Sequence, residues 1–415
     1  MSAAAIDRVP DEPAHTARTA RAPSVRRELS TLTVEEFGLG DPRIREFAMI
    51  PWTLYRGDAN WTPPLNGDLL GNRVLGLKGL LTAEHPYHQH AEVTHFLARR
   101  GDRAVGRVSA AVNRRFNEYR TDYAGVGFFG FFEVEEDYEA AAALLDAARE
   151  WLAARRMSVM RGPGQYSTAT HERQGVLVDG FDTPPTVECT HNPPYYAEYL
   201  ERWGLAKGTD YHAYLIDIDR VPAERLSRVA EAVRKRSSID VRPVDIRDFR
   251  AEIGRVIEIF NQAWTENWGF LPLTPGEAES IADSLRPIID PGLVHFASID
   301  GEIVATIGAF PDPNWALKPR WNGLGDSDLV RAARLLHVRR HIPRVRLMFF
   351  GIVPGHRKKG IDALLFDATY RHAVARGYQT IEASMLLEEN ELVVRAADFA
   401  GGRRYKTWRI YERRL

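Results

Sequence analysis

The chain repeats one pattern about 200 residues apart, and this duplication limits its fold more than any other feature. His95-Phe96, with Gly101 six residues on and then Val105-Gly106-Arg107-Val108, is matched by His295-Phe296, Gly301 and Val304-Ala305-Thr306-Ile307. Each set reads as a β-hairpin with a glycine turn. Phe128-Phe129-Gly130 leads to Ala143-Leu144-Leu145-Asp146-Ala147, as Phe349-Phe350-Gly351 leads to Ala363-Leu364-Leu365-Phe366-Asp367-Ala368. Asn192 stands twelve residues before Gly204, and Asn390 twelve before Gly402. Three matches in one order imply a duplicated α/β unit. Uneven offsets place insertions at 311–343 in the second copy and 161–191 in the first; long connections of this kind commonly carry function. The expected division is an Ala/Arg/Pro/Ser-rich disordered tail over 1–30, a first copy over 31–220 and a second over 221–415, with a charged helix from Ala223 to Lys235 near the junction.

The copies differ most in the turn between strand and helix. In the second, Val345 to Phe350 reads as a strand. Ile361, Leu364, Leu365, Ala368, His372 and Ala375 recur at helical spacing, with Gly377 at the C-cap position. Between them lies Val353-Pro354-Gly355-His356-Arg357-Lys358-Lys359-Gly360, a basic turn at a helix N-terminus, where free N–H groups and the helix dipole favour an anion such as a pyrophosphate. The first copy has Glu133-Val134-Glu135-Glu136-Asp137-Tyr138-Glu139 there. Its inverted charge would repel a pyrophosphate by several kcal/mol, so only the second copy is expected to hold one.

The rest of the composition excludes more than it selects. A formal net charge of −1 over 415 residues gives no general attraction to nucleic acid, so no nucleic-acid partner is expected. A single cysteine, Cys189, forbids an intramolecular disulfide and argues against a Cys-based metal site; no metal is expected. The most apolar run, 126–132, is strand-length, and a cytoplasmic location follows as the expectation.

The run Ile352-Val353-Pro354-Gly355-His356-Arg357-Lys358-Lys359-Gly360-Ile361, followed by Ala363-Leu364-Leu365, resembles the acyl-CoA-binding motif of the Gcn5-related N-acyltransferase (GNAT) superfamily. Further runs are similar to a bacterial group of tandem GNAT-like proteins, some linked to N-acylation of long-chain amines in ceramide synthesis: Asp179-Gly180-Phe181-Asp182-Thr183-Pro184-Pro185, Asn192 with Tyr195-Tyr196, and Leu387-Glu388-Glu389-Asn390. The resemblance implies two tandem GNAT-like α/β domains, each a mixed, mostly antiparallel sheet flanked by helices. It also implies direct attack of an amine on a thioester. The donor would be acyl-CoA, as acetyl-CoA or a longer chain, or the phosphopantetheine of an acyl carrier protein. Ile352, Val353, Arg357, Lys358, Lys359, Gly360, Ile361 and Asn390 would hold it. Asp362 departs from the small residue usual in the motif and either points away from the phosphates or serves the amine.

Transfer also needs a base, a proton donor and an acceptor wall. Alternation along 380–388 puts Glu382, Ser384 and Glu388 on one face, and Glu388 is nominated as general base, against a solvated carboxylate or a salt bridge to Arg395. The tyrosine that donates a proton in many GNAT enzymes matches Tyr199 in the first copy, whereas the second copy has Ala397, so Tyr405 is nominated instead. The acceptor wall is expected from Tyr166, His171, Glu172 and Tyr196 of the first copy, with Asp362; a surface loop, and for Tyr196 a core position, fit equally. Arg331, Arg334, Arg339, Arg340, Arg344 and Arg346 suit a solvated helix face, a CoA 3′-phosphate contact, or a patch on anionic lipid. The acceptor is read as a small-molecule or lipid amine, with peripheral contact at the inner face of the membrane. Two other readings stand: an aminoacyl-tRNA-dependent Fem-type transferase, and a non-catalytic acyl-CoA-binding module.

Overall fold

The computed structural model describes residues 31–167 and 173–415. The first copy runs β1 (Leu32–Phe37), α1 (Arg43–Leu54), α2 (Asn66–Leu70), β2 (Ala91–Arg100), β3 (Arg103–Asn113), α3 (Arg114–Tyr119), β4 (Val126–Val134), α4 (Tyr138–Ala154), β5 (Val159–Gly164), β6 (Val176–Asp179), α5 (Tyr195–Arg202) and β7 (Ala206–Asp217). The second runs α6 (Ala223–Arg234), β8 (Ile239–Pro243), α7 (Phe249–Ala263), α8 (Pro275–Leu285), β9 (Val294–Ile299), β10 (Glu302–Pro311), α9 (Asn314–Leu317), α10 (Asp328–Val338), β11 (Arg344–Ile352), α11 (Ile361–Ala375), β12 (Thr380–Leu387), α12 (Glu391–Phe399) and β13 (Arg403–Arg414). Both expected hairpins form: His95 lies opposite Ser109 and His295 opposite Ile307, across turns where Gly101 and Gly301 take φ of 59° and 85°.

All thirteen strands of the described residues join one sheet, in the order β1-β2-β3-β4-β5-β13-β7-β12-β11-β10-β9-β8, with β6 also on β13. Pairing is antiparallel except for β4 with β5 and β11 with β12, the same place in each copy. The order is symmetric about β13 and β7, and there the copies exchange strands. Among the described residues β7 pairs only with β12 and β13 of the second copy, while β13 pairs with β5, β6 and β7 of the first. Trp408, Ile410 and Tyr411 of β13 are fully buried by this exchange.

Helices cover the sheet by burying one face each. In α4, Leu144, Leu145, Ala148 and Leu152 lose all exposure against β2, β3 and β4. In α11, Ile361 and Leu365 do so against β9 and β10, while α7 packs Val256 on the other face beside Phe310 and Met348. The arginine-rich insertion is not a solvated face. Arg331 is fully buried and donates to the carbonyls of Pro63 (2.6 Å), Pro64 (2.8 Å) and Leu317 (2.9 Å). Arg334 donates to Ala316 O and Lys318 O, Arg344 binds Asp312 at 2.6 Å, and Arg346 donates to Ser384 Oγ at 2.8 Å. A buried guanidinium must find acceptors, and carbonyls at chain turns supply them. Only Arg339 and Arg340 remain at the surface.

Candidate active site

The second copy opens a gap in its sheet. β11 and β12 pair from Arg344 opposite Thr380 to Leu347 opposite Ala383, and pairing stops there. Beyond that point Met348–Ile352 and Ser384–Leu387 border a space between two parallel strands. Register shifts at Gly308/Ala309 on the β10 side and Ala383/Leu386 on the β7 side mark a β-bulge in each strand. α7 crosses the gap on one face, where Trp264 Nε1 donates to Phe350 O at 3.1 Å.

The basic turn leads from this gap into α11. Gly360 is the N-cap in the left-handed region (φ 81°), and a Cβ there would come within 2.5 Å of Val233 on α6. No side chain caps α11, so its first N–H groups and the positive dipole end face outward beside Lys358 and Lys359, both exposed. Arg357 is anchored by donating to Ala263 O at 2.9 Å. Ile361 is wholly buried core, Asp362 is exposed in the first turn, and Asn390 caps α12 by accepting from Val393 N.

The first copy fills the same place with its own anion. Asp137 caps α4 by accepting from Ala140 N at 3.2 Å, and Arg100 grips Asp137 at 2.7 Å and Glu139 at 2.6 Å. Its gap between β4 and β5 survives as a cavity of about 90 Å³ walled by Trp52, Trp61, Phe131 and Phe132. Glu133 lies at its polar end, accepting from Tyr55 Oη (2.6 Å) and Tyr196 Oη (2.8 Å), with Arg107 at 3.8 Å. Burial pushes the Glu133 carboxyl up and the Arg107 guanidinium down. The two gaps stand four strand steps apart, roughly 19 Å, and open toward opposite ends of the sheet, because β4 and β11 run in opposite directions.

Between them lies a buried polar cluster that joins the copies. Glu382 is fully buried and accepts from Thr186 Oγ1 at 2.6 Å and from the Tyr405 hydroxyl. Cys189 lies 3.6 Å from Ser384 Oγ, Asp312 accepts from Val187 N at 3.0 Å, and Lys406 donates to Gly180 O and Thr183 O. Residues 180–189 of the first copy are thus strapped across β12 and β13 of the second, and Arg346 of β11 donates to Val187 O. Burial pushes the Lys406 ammonium down to about 8 and, with the neighbouring Glu382, raises the Tyr405 phenol far above its usual range. Tyr405, half-buried, packs, as do Met385 and Trp268, against the apolar cluster that holds Cys189, Leu387 and Trp408.

Two nominations change. Met385 takes φ 58° at the β12 bulge and packs on the same apolar cluster as Leu387 and Cys189, so the alternation slips and Glu388 does not share the face of Glu382 and Ser384. The Glu388 carboxylate is held by β7 instead, at 2.7 Å from Lys207 Nζ and accepting from Asp210 N at 3.0 Å, not by Arg395. Tyr166 is core: its ring stacks on Tyr87 and its hydroxyl meets His95 Nε2 at 2.6 Å. Tyr196 is buried, lining the first-copy cavity. His171 and Glu172 lie outside the described residues. Sequence reading passed over Glu382, Thr186 and Cys189 as a group; the available signal was the Gly/Pro-rich run 179–185, which marks a shaped connection.

No family model matches the chain. It is 33% identical over 383 residues to the bacterial ceramide synthase of Caulobacter vibrioides (strain NA1000 / CB15N), covering 90% of this chain and 95% of that protein. It is 30% identical over 383 residues to protein YghO of Escherichia coli (strain K12), covering 90% and 93%. Among solved structures, a tandem GNAT protein from the clavulanic acid biosynthesis pathway superposes with a TM-score of 0.52 at 13% identity, over 92% of this chain and 98% of that one, a likeness of fold. The duplicated sheet with a parallel pair splayed in each copy is the tandem GNAT fold, and kinship over 90% of the chain with the Caulobacter protein gives the family: the chain belongs to the family of the bacterial ceramide synthase.

Proposed function

We propose that this enzyme transfers an acyl group from a thioester held by its second copy to an amine that approaches across the strap from the first. The observation that carries this reading is the contrast between two equivalent helix N-termini. That of α11 is uncapped, entered through Gly360 and flanked by lysines; that of α4 is already neutralised by Asp137. The fit is to a diphosphate, which favours acyl-CoA. An acyl carrier protein, whose phosphopantetheine carries one phosphate, would use less of the turn.

In this reading Arg357, Lys358, Lys359 and the α11 N–H groups bind phosphate, and backbone N–H groups along Met348–Ile352 meet the thioester oxygen as it gains charge. Proton removal from the ammonium falls to Tyr405 and Glu382: the phenol oxygen takes the amine proton as its own passes to the carboxylate, so no net charge is left on the phenol. The nitrogen lone pair forms the amide bond, the carbon–sulfur bond breaks, and the second proton shed by the nitrogen ends on the departing sulfur, so that a neutral thiol leaves. The acceptor is a small or lipid amine. The name of the Caulobacter relative favours a long-chain amine, and such a substrate brings peripheral membrane contact into the same proposal.

Calorimetry with acyl-CoAs of several chain lengths, paired with thiol release in the presence of an amine series, tests it. Binding that disappears in Arg357→Glu/Gly360→Pro, with amine-dependent thiol release in the native chain, is the expected result. Undiminished binding in that variant, or no binding in the native chain, would sink it.

A further inference from the structure

The second copy carries a cationic groove at the end of the sheet away from its basic turn. It encloses about 360 Å³, and Arg286, Arg339, Arg340 and Arg376 line it over a floor that includes Phe249 and Ile288. Asp290 is the one carboxylate among the described residues lining it, and it is fully engaged. It accepts from His372 Nε2 at 2.8 Å, Tyr378 Oη at 3.0 Å and Gly292 N at 3.3 Å, and lies 3.4 Å from Arg376. Arg286 rests over the Phe249 ring at 5.2 Å and Arg339 donates to Pro287 O at 2.8 Å; neither they nor Arg340 has a carboxylate partner among the described residues. Three guanidinium groups therefore converge with no counter-charge, an arrangement that favours phosphate oxygens.

The groove is not an extension of the donor site. It lies at the Arg376 end of α11, and the diphosphate turn lies at the Gly360 end, about 22 Å away along a 15-residue helix. Its border is also unusually apolar. On α10, Leu329 and Leu336 are 55% and 52% exposed, and with Ala333 they form a stripe that ends on Arg340. Ile246, on the groove itself, is 49% exposed. A soluble phosphate ligand gives no reason for an exposed leucine stripe beside the arginines; a bilayer interface accounts for both.

We infer that this face rests on a membrane surface bearing anionic phospholipids, with headgroup phosphates in the arginine groove and the α10 stripe at the acyl boundary. The inference deepens the peripheral contact proposed above by naming its surface and its lipid class. It also gives a lipid amine a route to the enzyme without leaving the interface.

Co-sedimentation of the full chain with phosphatidylcholine vesicles, with and without phosphatidylglycerol, tests it in the absence of acyl donor and amine. Failure here therefore leaves the acyl-transfer reading standing, and loss of thiol release leaves this one. Partition is expected to require phosphatidylglycerol, and to fall at least about tenfold in Arg286→Glu/Arg340→Glu. It is also expected to fall in Leu329→Glu/Leu336→Glu, with an unchanged melting temperature in both. Native-like sedimentation of both variants would overturn the assignment. So would calorimetric binding of soluble glycerol phosphate as tight as that of vesicles, because a free ligand would then own the groove.

Discussion

Glu382 and Glu388 stand six residues apart, on β12 and just past its end, and differ in everything that matters chemically. Glu382 is fully buried under a tyrosine and a threonine, and Glu388 is spent on Lys207 and a backbone N–H. Glu382→Gln and Tyr405→Phe are each expected to cut thiol release about 100-fold or more while leaving acyl-CoA binding intact. Glu388→Gln should stay within a few-fold, since an exposed pair contributes about 0–1 kcal/mol. The reverse ranking would return the base to Glu388. The duplicated histidines make a second residue-scale prediction. Burial pushes both His95 and His295 down to about 4, so each is neutral in the fold and titrates near 6.5 when unfolded. Between those values the unfolded chain binds more protons, so stability must fall as pH drops from 6.5 toward 4, by about 3 kcal/mol for each histidine. His295→Asn should flatten the slope of unfolding free energy by up to about 1.4 kcal/mol per pH unit in urea titrations over that range. An unchanged slope would mean His295 is protonated in the fold.

At the scale of elements, the two strand-turn-helix units test why one sequence pattern yields two sites. Gly360→Ala places a side chain at φ 81° against Val233, which costs roughly 1–2 kcal/mol from the backbone alone and narrows the approach to α11. Asp137→Ala should cost at least about 1 kcal/mol, through the lost cap of α4 and the lost Arg100 pair, without touching donor binding. Urea midpoints and acyl-CoA calorimetry on the two variants separate the roles: only Gly360→Ala should weaken binding. These elements were legible because their signals are local. The α11 period, Gly377 (φ 77°) and the hairpin glycines each fix a conformation within a few residues. The β12 bulge was not legible, because Met385 adopts a left-handed φ that its side chain does nothing to advertise. Only the register that β7 imposes on either side of it forces it, and the slipped phase moved Glu388 off the face assigned to it. The arginines of the insertion misled for the same reason, since beside the nearby Leu317 O the carbonyls that satisfy Arg331 belong to Pro63 and Pro64, some 270 positions earlier in the chain.

For the molecule as a whole, the repeat in the sequence announces two units, and the structure joins them by trading their last strands. Nothing in the alternation of β7 or β13 says which neighbour it takes, because each would fit beside either parallel pair; only the assembled sheet decides. The exchange means that a cut after residue 220 divides the sequence repeat but not a folding unit. β7 would lose every partner it has, and β5 and β6 would lose β13. The first half would also lose Trp408, Ile410 and Tyr411, three fully buried side chains. At roughly 1.5–3 kcal/mol each they amount to about 5–9 kcal/mol, comparable to the whole stability of an ordinary domain. Fragments 31–220 and 221–415, expressed apart, are therefore expected to aggregate or to form homodimers in which a second copy of the same fragment lends the missing strand. Co-expressed, they should assemble one to one and recover acyl-CoA binding. Size-exclusion chromatography with light scattering distinguishes the outcomes. A folded, monomeric 31–220 with a cooperative unfolding transition would show that the first copy can close its own sheet and that the exchange is dispensable.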